Sequence, residues 1–270
     1  MLPILQLGPL AIQTPGLILL LGLWLGLTLA EKNAHRQNLH PDLIYNLAFT
    51  ALLAGVIGAR LAYAARYPAA FAASPISLIS LNPGLLDPVG GVAVALLAAM
   101  IFGQRQGLAF WPALDAFTPL FFVLSFAFAL SNLASGNAFG TETTLPWGIE
   151  LWGAKRHPAQ LYEALAALGI AILLWPGRGV WARRAEGQGV LTSGVLFIRF
   201  VALSAASRLF LEAFRGDSVL LPNGWRVAQI LAWLVLATSL WGLERRNPPA
   251  NKITRVTPQG RGGHLPSKPE

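Results

Sequence analysis

Between Gly16 and Ala30 the chain carries no charged side chain, and Thr28 is the only polar one. A helix of that kind has no water-facing side, so protein or lipid must surround it all the way round. An apolar helix needs ~20 residues to cross a hydrocarbon core of ~30 Å. By that standard the sequence offers seven candidate spans: Leu10–Ala30, Leu43–Ala65, Val89–Gly103, Leu108–Ala134, Pro158–Trp175, Val190–Phe214 and Trp225–Leu243. The stretch Pro68–Pro88, interrupted by Pro75 and Pro83, reads instead as an interfacial or re-entrant loop. Only 12% of the residues are charged, about half the ~25% of soluble domains, which is too few to clothe a soluble fold. An ordinary soluble enzyme and a disordered chain are thereby excluded. With no cysteine, the chain has neither a disulfide framework nor a thiol nucleophile of its own. The expected class is an all-α integral membrane protein of about seven transmembrane helices. A single polytopic domain is expected over residues 1–243, followed by a basic, disordered tail over 244–270.

The lysines and arginines supply an orientation. With the N-terminus outside, the inside segments 31–42, 103–107, 176–189 and the tail hold twelve of the twenty, and the outside segments hold five. Arg60, Arg199 and Arg208 fall within spans. Cytoplasmic loops are enriched in basic residues, so the asymmetry predicts N-out, C-in. The net charge of +8 then marks orientation, and no nucleic-acid partner is needed to explain it. The first apolar run lacks a preceding basic region and a small-x-small cleavage site, so it reads as a span rather than a signal peptide.

An ionised group at mid-bilayer costs about 2.5–3.5 kcal/mol, so one that is kept usually faces a partner or a wet cavity. Asp115, Glu163, Arg199, Arg208, Glu212 and Arg60 all lie in or near predicted spans. Two bland explanations stand beside a functional one: Arg60 and Glu212 can snorkel from span ends, and Arg199 can pair with Asp115. Arg208, Glu212 and Arg215 recur at i, i+4 and i+7, which on an α-helix shares one face and sets a carboxylate between two guanidiniums. Guanidiniums suit bidentate recognition of phosphate, although a simple salt-bridge ladder has the same spacing. The second constellation is Lys155-Arg156-His157-Pro158-Ala159-Gln160-Leu161-Tyr162-Glu163-Ala164. Pro158 suits the first turn of a helix, which puts His157 at its cap, with Gln160, Tyr162 and Glu163 in the opening turn. His157 serves either as that cap or as a general base.

The run His157–Ala164 resembles the His-Pro-Ser-Gln-Leu-Tyr-Glu-Ala signature of the prolipoprotein diacylglyceryl transferase family, with Ala159 in place of the serine. Further resemblances follow in order along nearly the whole chain. Leu7-Gly8-Pro9-Leu10 is similar to the family's N-terminal segment, and Gly58-Ala59-Arg60-Leu61-Ala62-Tyr63 to its Gly-Arg-Leu-Gly-Tyr segment. Asp115 and Pro119 match an Asp-x-x-x-Pro. Asn132 and Gly140 fall on Gly-Arg-Ile-Gly-Asn-Phe-Ile-Asn-Gly-Glu-x-x-Gly, Arg208, Glu212 and Arg215 on Arg-Phe-x-x-Glu-x-x-Arg, and Gln229 on a glutamine that opens the last span.

The resemblance implies seven spans in a bacterial-type plasma (inner) membrane, N-out and C-in. It also implies transfer of the diacylglyceryl group of phosphatidylglycerol to the lipobox cysteine thiol of a prolipoprotein, with glycerol phosphate leaving. Asn132, His157, Arg208 and Glu212 would then be catalytic. Arg60, Gly140, Gln160, Tyr162, Glu163, Arg215 and Gln229 would bind substrate. Within that group Arg208 and Arg215, with Arg60, would hold the phosphate, and His157 or Glu212 would take the thiol proton. The partners are phospholipid, prolipoprotein and membrane; no cofactor and no metal are expected. At five motif positions this sequence differs. Ala129 stands where the family has an arginine, Asn137 where it has glutamate and Val89 where it has histidine. Pro15 and Ser204 stand where it has tyrosines. These five motivate an alternative, a non-catalytic or repurposed relative that binds phospholipid or a lipoprotein partner. A small unrelated transporter is the remaining class.

Overall fold

The computed structural model describes residues 4–7, 10–80, 82–175 and 193–246. The basic loop 176–189, the tail from 247 onward, Gly8 and Pro9, and the start of the Val190–Phe214 run lie outside the described residues. Eight helices and two short hairpins make up the described chain. Strands β1 (Ile4–Leu7) and β2 (Leu10–Gln13) pair antiparallel, Ile4 opposite Gln13. They are followed by α1 (Thr14–Ala34), α2 (Pro41–Arg66), the short α3 (Pro68–Ala73), α4 (Pro88–Arg105) and α5 (Phe110–Ser135). A second hairpin, β3 (Ile149–Leu151) with β4 (Ala154–Arg156), leads into α6 (Ala159–Leu174), α7 (Val195–Leu211) and α8 (Val227–Arg246).

Each candidate span therefore has a helix, with altered ends. The first helix starts at Thr14 rather than Leu10, because Pro15 occupies its opening turn and Leu10–Gln13 pair with β1 instead. Proline likewise opens α2, α3 and α4. The Pro68–Pro88 stretch forms α3 and two 3₁₀ turns, Pro75–Ile79 and Pro83–Leu85, with Ile76 and Ile79 outward. Helices α1, α2, α4, α5 and α8 are long and apolar enough to cross a membrane. Helices α6 and α7, with 16 and 17 residues, are shorter: at ~1.5 Å per residue they reach about 24–26 Å.

The bundle is built from close pairs, α1 with α5, α2 with α4 and α7 with α8, while α6 packs on both α5 and α7. Lipid tails offer no hydrophobic drive to bring helices together, so small residues that let backbones approach take its place. A methyl group on Gly22 would lie 2.5 Å from the Ala127 Cβ, and one on Gly58 2.4 Å from the Val94 Cβ. Where α1 meets α5 and α2, Ala30, Ala34, Ile44, Ala116, Phe117 and Leu120 form a buried core.

Two polar groups organise this apolar interior. Pro119, inside α5, has no N–H for the carbonyl of Asp115 one turn earlier. The buried Asn33 of α1 supplies the missing donor, its Nδ2 lying 2.8 Å from that oxygen. The Asp115 carboxylate points elsewhere: Oδ2 accepts from Gly194 N at 2.6 Å and Oδ1 from Phe197 N at 2.9 Å. The Asp115 carboxylate thus serves as a helix cap. Asp115 satisfies amides at the start of α7, which no residue of α7 caps.

Candidate functional site

The site is set by a ladder of loop segments at one end of α5, α6 and α7. After α5 the chain turns at Gly136 and runs out as residues 139–143 between two partners. On one side Thr141 N donates to Phe214 O at 2.8 Å and Gly216 N to Phe139 O at 2.9 Å. On the other, His157 N donates to Thr141 O at 2.9 Å and Thr143 N to Lys155 O at 2.9 Å. Gly140, paired with Arg215, sits so close to its neighbour that a methyl group there would lie 2.2 Å from the His157 carbonyl oxygen. Any side chain would pry the two apart. This ladder brings His157, from the start of α6, beside Phe214 and Arg215, which follow α7. Arg156 braces it, stacked 5.0 Å over the Phe139 ring with Nη1 donating to Gly140 O at 3.4 Å.

Helix α6 begins one residue later than the spacing implied. Pro158 is its N-cap, at ψ 64, and His157 precedes the cap. His157 Nδ1 lies 3.4 Å from the Tyr162 hydroxyl, which accepts from Trp147 Nε1 at 2.8 Å. The His157, Tyr162 and Phe214 rings form an edge-to-face cluster with centroids 5.3–6.2 Å apart. Gln160 is fully buried. Its Nε2 donates to Asn137 O at 2.8 Å, while Oε1 has no protein partner.

Helix α7 also departs from the expected geometry. The α-helix stops at Leu211, Glu212–Phe214 form a 3₁₀ turn, and Arg215 is extended. The three charges therefore do not share one α-helical face. They meet through α6. Glu163 Oε1 lies 2.9 Å from Arg208 Nη1 and 2.9 Å from Arg215 Nη1, so one carboxylate oxygen receives both guanidiniums. Arg208 Nη2 is 2.9 Å from Glu212 Oε2, an ion pair that lacks the alignment of a hydrogen bond. Glu212, only 1% exposed, does not snorkel to the surface.

Three further residues complete the network: Asp217, Ser218 and Arg226. Arg215 is gripped on its other edge by Asp217, with Nε–Oδ1 at 2.9 Å and Nη2–Oδ2 at 2.7 Å. Burial works against the Arg215 cation, but Asp217 and Glu163 outweigh it and hold its pKa above the ordinary arginine value. Ser218 donates to Glu212 Oε1 at 2.7 Å, and Arg226 Nη1 reaches Ser218 Oγ at 2.7 Å and Arg215 O at 2.8 Å. Sequence reading missed these three. Asp217 is two residues from Arg215, a usable hint; Arg226 is brought in by the turn before α8, and nothing local marks it.

Beside the cluster a cavity of about 220 Å³ opens between α5, α6 and α7, lined by Ser125, Glu163, Phe200, Ser204, Ser207 and Arg208. The other candidates are placed differently. Arg60 donates to the carbonyls of Ser77, Leu78, Ser80, Asn82 and Leu85. Its five N–H groups are all engaged by carbonyls of the Pro-rich loop, away from the cluster of Arg208 and Arg215. Gln229 Nε2 donates to Leu209 O at 3.4 Å, joining α8 to α7. Asn132 lies in the last turn of α5, where its carbonyl accepts from Gly136 N at 2.8 Å. It is not among the residues lining the cavity. Arg208 and Glu212 meet directly and His157 joins through its aromatic neighbours.

Fold and site together define a multi-pass helical membrane protein with an arginine–carboxylate cluster held at one end of α6 and α7. The chain belongs to the prolipoprotein diacylglyceryl transferase family, whose description matches residues 3–244. It is 33% identical to the phosphatidylglycerol–prolipoprotein diacylglyceryl transferase of Solidesulfovibrio magneticus, over 91% of this chain and 94% of the relative. Proteins of the same name from Chloroflexus aggregans and a Nostoc species are 29% and 27% identical. They cover 93% and 88% of this chain and 91% and 86% of their own lengths.

Proposed function

We propose that this protein transfers the diacylglyceryl group of phosphatidylglycerol to the cysteine thiol of a prolipoprotein lipobox; the names of its relatives give the lipid, the group transferred and a prolipoprotein acceptor. The observation that carries the reading is the single Glu163 oxygen received by both Arg208 and Arg215. It marks a point where two guanidiniums converge on one anionic oxygen, and a lipid phosphate oxygen would take that place. Substrate sulfur attacks the glycerol carbon that bears the phosphate ester. The carbon–sulfur bond forms as the carbon–oxygen bond breaks, and glycerol phosphate leaves with the bonding pair. The arginines stabilise the departing anion. A thiol of pKa about 8.5 needs a base to react as thiolate; His157 or Glu212 takes its proton. In this reading seven spans, N-out and C-in, place the cluster at the outer face of a bacterial plasma membrane.

Complementation tests it. Cells depleted of their own transferase and expressing this chain should regain lipidation of a lipobox substrate, and Arg208→Ala should abolish the rescue. Absence of rescue by correctly inserted protein would overturn the enzyme reading. One observation favours a second reading, a lipid-binding relative without turnover: Ala129, only 3% exposed, puts a methyl group where the family motif has an arginine. That protein would retain phosphatidylglycerol on purification yet leave the substrate unmodified.

A further inference from the structure

The far end of α7 holds a second space, separate from the site above. It lies between the start of α5, the first turns of α7 and the last turns of α8, and has a volume of about 480 Å³. Phe197, Ile198 and Val201 of α7 form one wall, while Thr238 and Trp241 of α8 face them. Ten residues separate Ile198 from Arg208, about 15 Å along the helix, so the two spaces lie at different depths.

Two arginines stand at its rim, each laid on an indole. The Arg246 guanidinium carbon is 3.7 Å from the Trp111 ring centroid, and that of Arg245 is 4.0 Å from Trp241. Arg246 Nη1 also donates to the Ser193 carbonyl. Stacking fixes the plane and direction of each guanidinium before anything binds, which removes most of the ordering cost that a long side chain usually carries. Among the described residues neither arginine forms an ion pair: the Asp115 carboxylate attracts Arg246 from a distance, but both its oxygens accept from the Gly194 and Phe197 amides, and Glu244 lines a different cavity beside Arg199. An apolar slot capped by two oriented cations fits a molecule with a hydrocarbon chain and an anionic head.

We propose that this space is a binding site for an anionic glycerophospholipid, an acyl chain lying in the slot and the phosphate between Arg245 and Arg246. A zwitterionic lipid meets the same guanidiniums with a cationic head and is disfavoured. Bound there, the lipid ties α5, α7 and α8 together at the end remote from Glu163.

The test uses full-length protein in mild detergent and acyl-chain-dibrominated lipids, whose bromines quench nearby indoles. Dibrominated phosphatidic acid should quench the fluorescence component lost in Trp111→Phe/Trp241→Phe, with a midpoint at least tenfold lower than dibrominated phosphatidylcholine. Arg245→Gln/Arg246→Gln should raise that midpoint at least tenfold, while Arg208→Gln leaves it unchanged. If the glutamine pair elutes as aggregate, Arg245→Lys/Arg246→Lys replaces it; it keeps the charge but loses the planar stacking, and should raise the midpoint at least threefold. Equal quenching by the two lipids in the unmodified protein would overturn the proposal. So would a wild-type midpoint in the variant that folds, or displacement of the lipid by soluble glycerol phosphate alone.

Discussion

Replacing Gly140 by alanine tests whether the loop ladder builds the site. The added methyl would sit 2.2 Å from the His157 carbonyl oxygen and 2.7 Å from its Cβ, whereas real contacts of this kind begin at 3.0 Å. Backbone cannot give way like the end of a flexible side chain, so the two strands must part by at least 0.8 Å. Added to the 2.9 Å bonds from His157 N to Thr141 O and Thr143 N to Lys155 O, that displacement takes them to roughly 3.7 Å, outside hydrogen-bond range. At about 1 kcal/mol for each net hydrogen bond, the loss is about 2 kcal/mol. In a detergent thermal-shift assay this corresponds to a fall of about 4–8 °C. The displaced groups are those that carry His157 and Arg215, so lipidation should fall by at least tenfold in kcat. Gly169→Ala is the matched control. A Cβ at Gly169 meets nothing within 4 Å, and alanine there should be neutral or stabilise the helix by up to ~1 kcal/mol. A Gly140→Ala protein with unchanged melting temperature and activity would refute the close-approach argument.

Four further substitutions probe the remaining links. Arg208→Gln should reduce lipidation about 100-fold or more, in line with loss of one oriented donor to a developing anion, and should lower the melting temperature, because the buried Glu212 loses its cation; full activity would remove Arg208 from the phosphate site. Asp115→Ala leaves the Gly194 and Phe197 amides without their acceptor and should cost about 3 kcal/mol, read as faster hydrogen exchange at the start of α7. Asn33→Ala orphans the Asp115 carbonyl that Pro119 cannot serve; a loss of about 1–3 kcal/mol is expected, and Pro119→Ala should recover part of it. Arg60→Lys replaces five planar N–H donors by three and should raise proteolysis within residues 68–87 severalfold while leaving the phospholipid KM unchanged, because Arg60 acts on the loop.

Much of this was written in the one-dimensional pattern. Apolar runs of about membrane length placed seven helices, and prolines stand in the opening turns of α2, α3 and α4. Arg208 and Glu212 pair at i, i+4 as their spacing requires. Helix periodicity extends only as far as the helix, however. Arg215 left the expected face because α7 ends at Leu211, and His157 moved outside the cap because Pro158 took it.

Sequence alone determined the solvent this protein folds in, where the long helical segments fall and which charges are too deep to be decoration. Those follow from local composition and period, each within a few turns of chain. Only the tertiary structure decided what each deep charge does, because desolvated groups are satisfied by whatever partner packing brings within 3 Å. Asp115 caps a helix about eighty residues away, Arg60 holds a loop, and Glu163 gathers one arginine from the last turn of α7 and another from beyond it. Hydropathy encodes burial, and partnership depends on contacts between residues far apart in the chain.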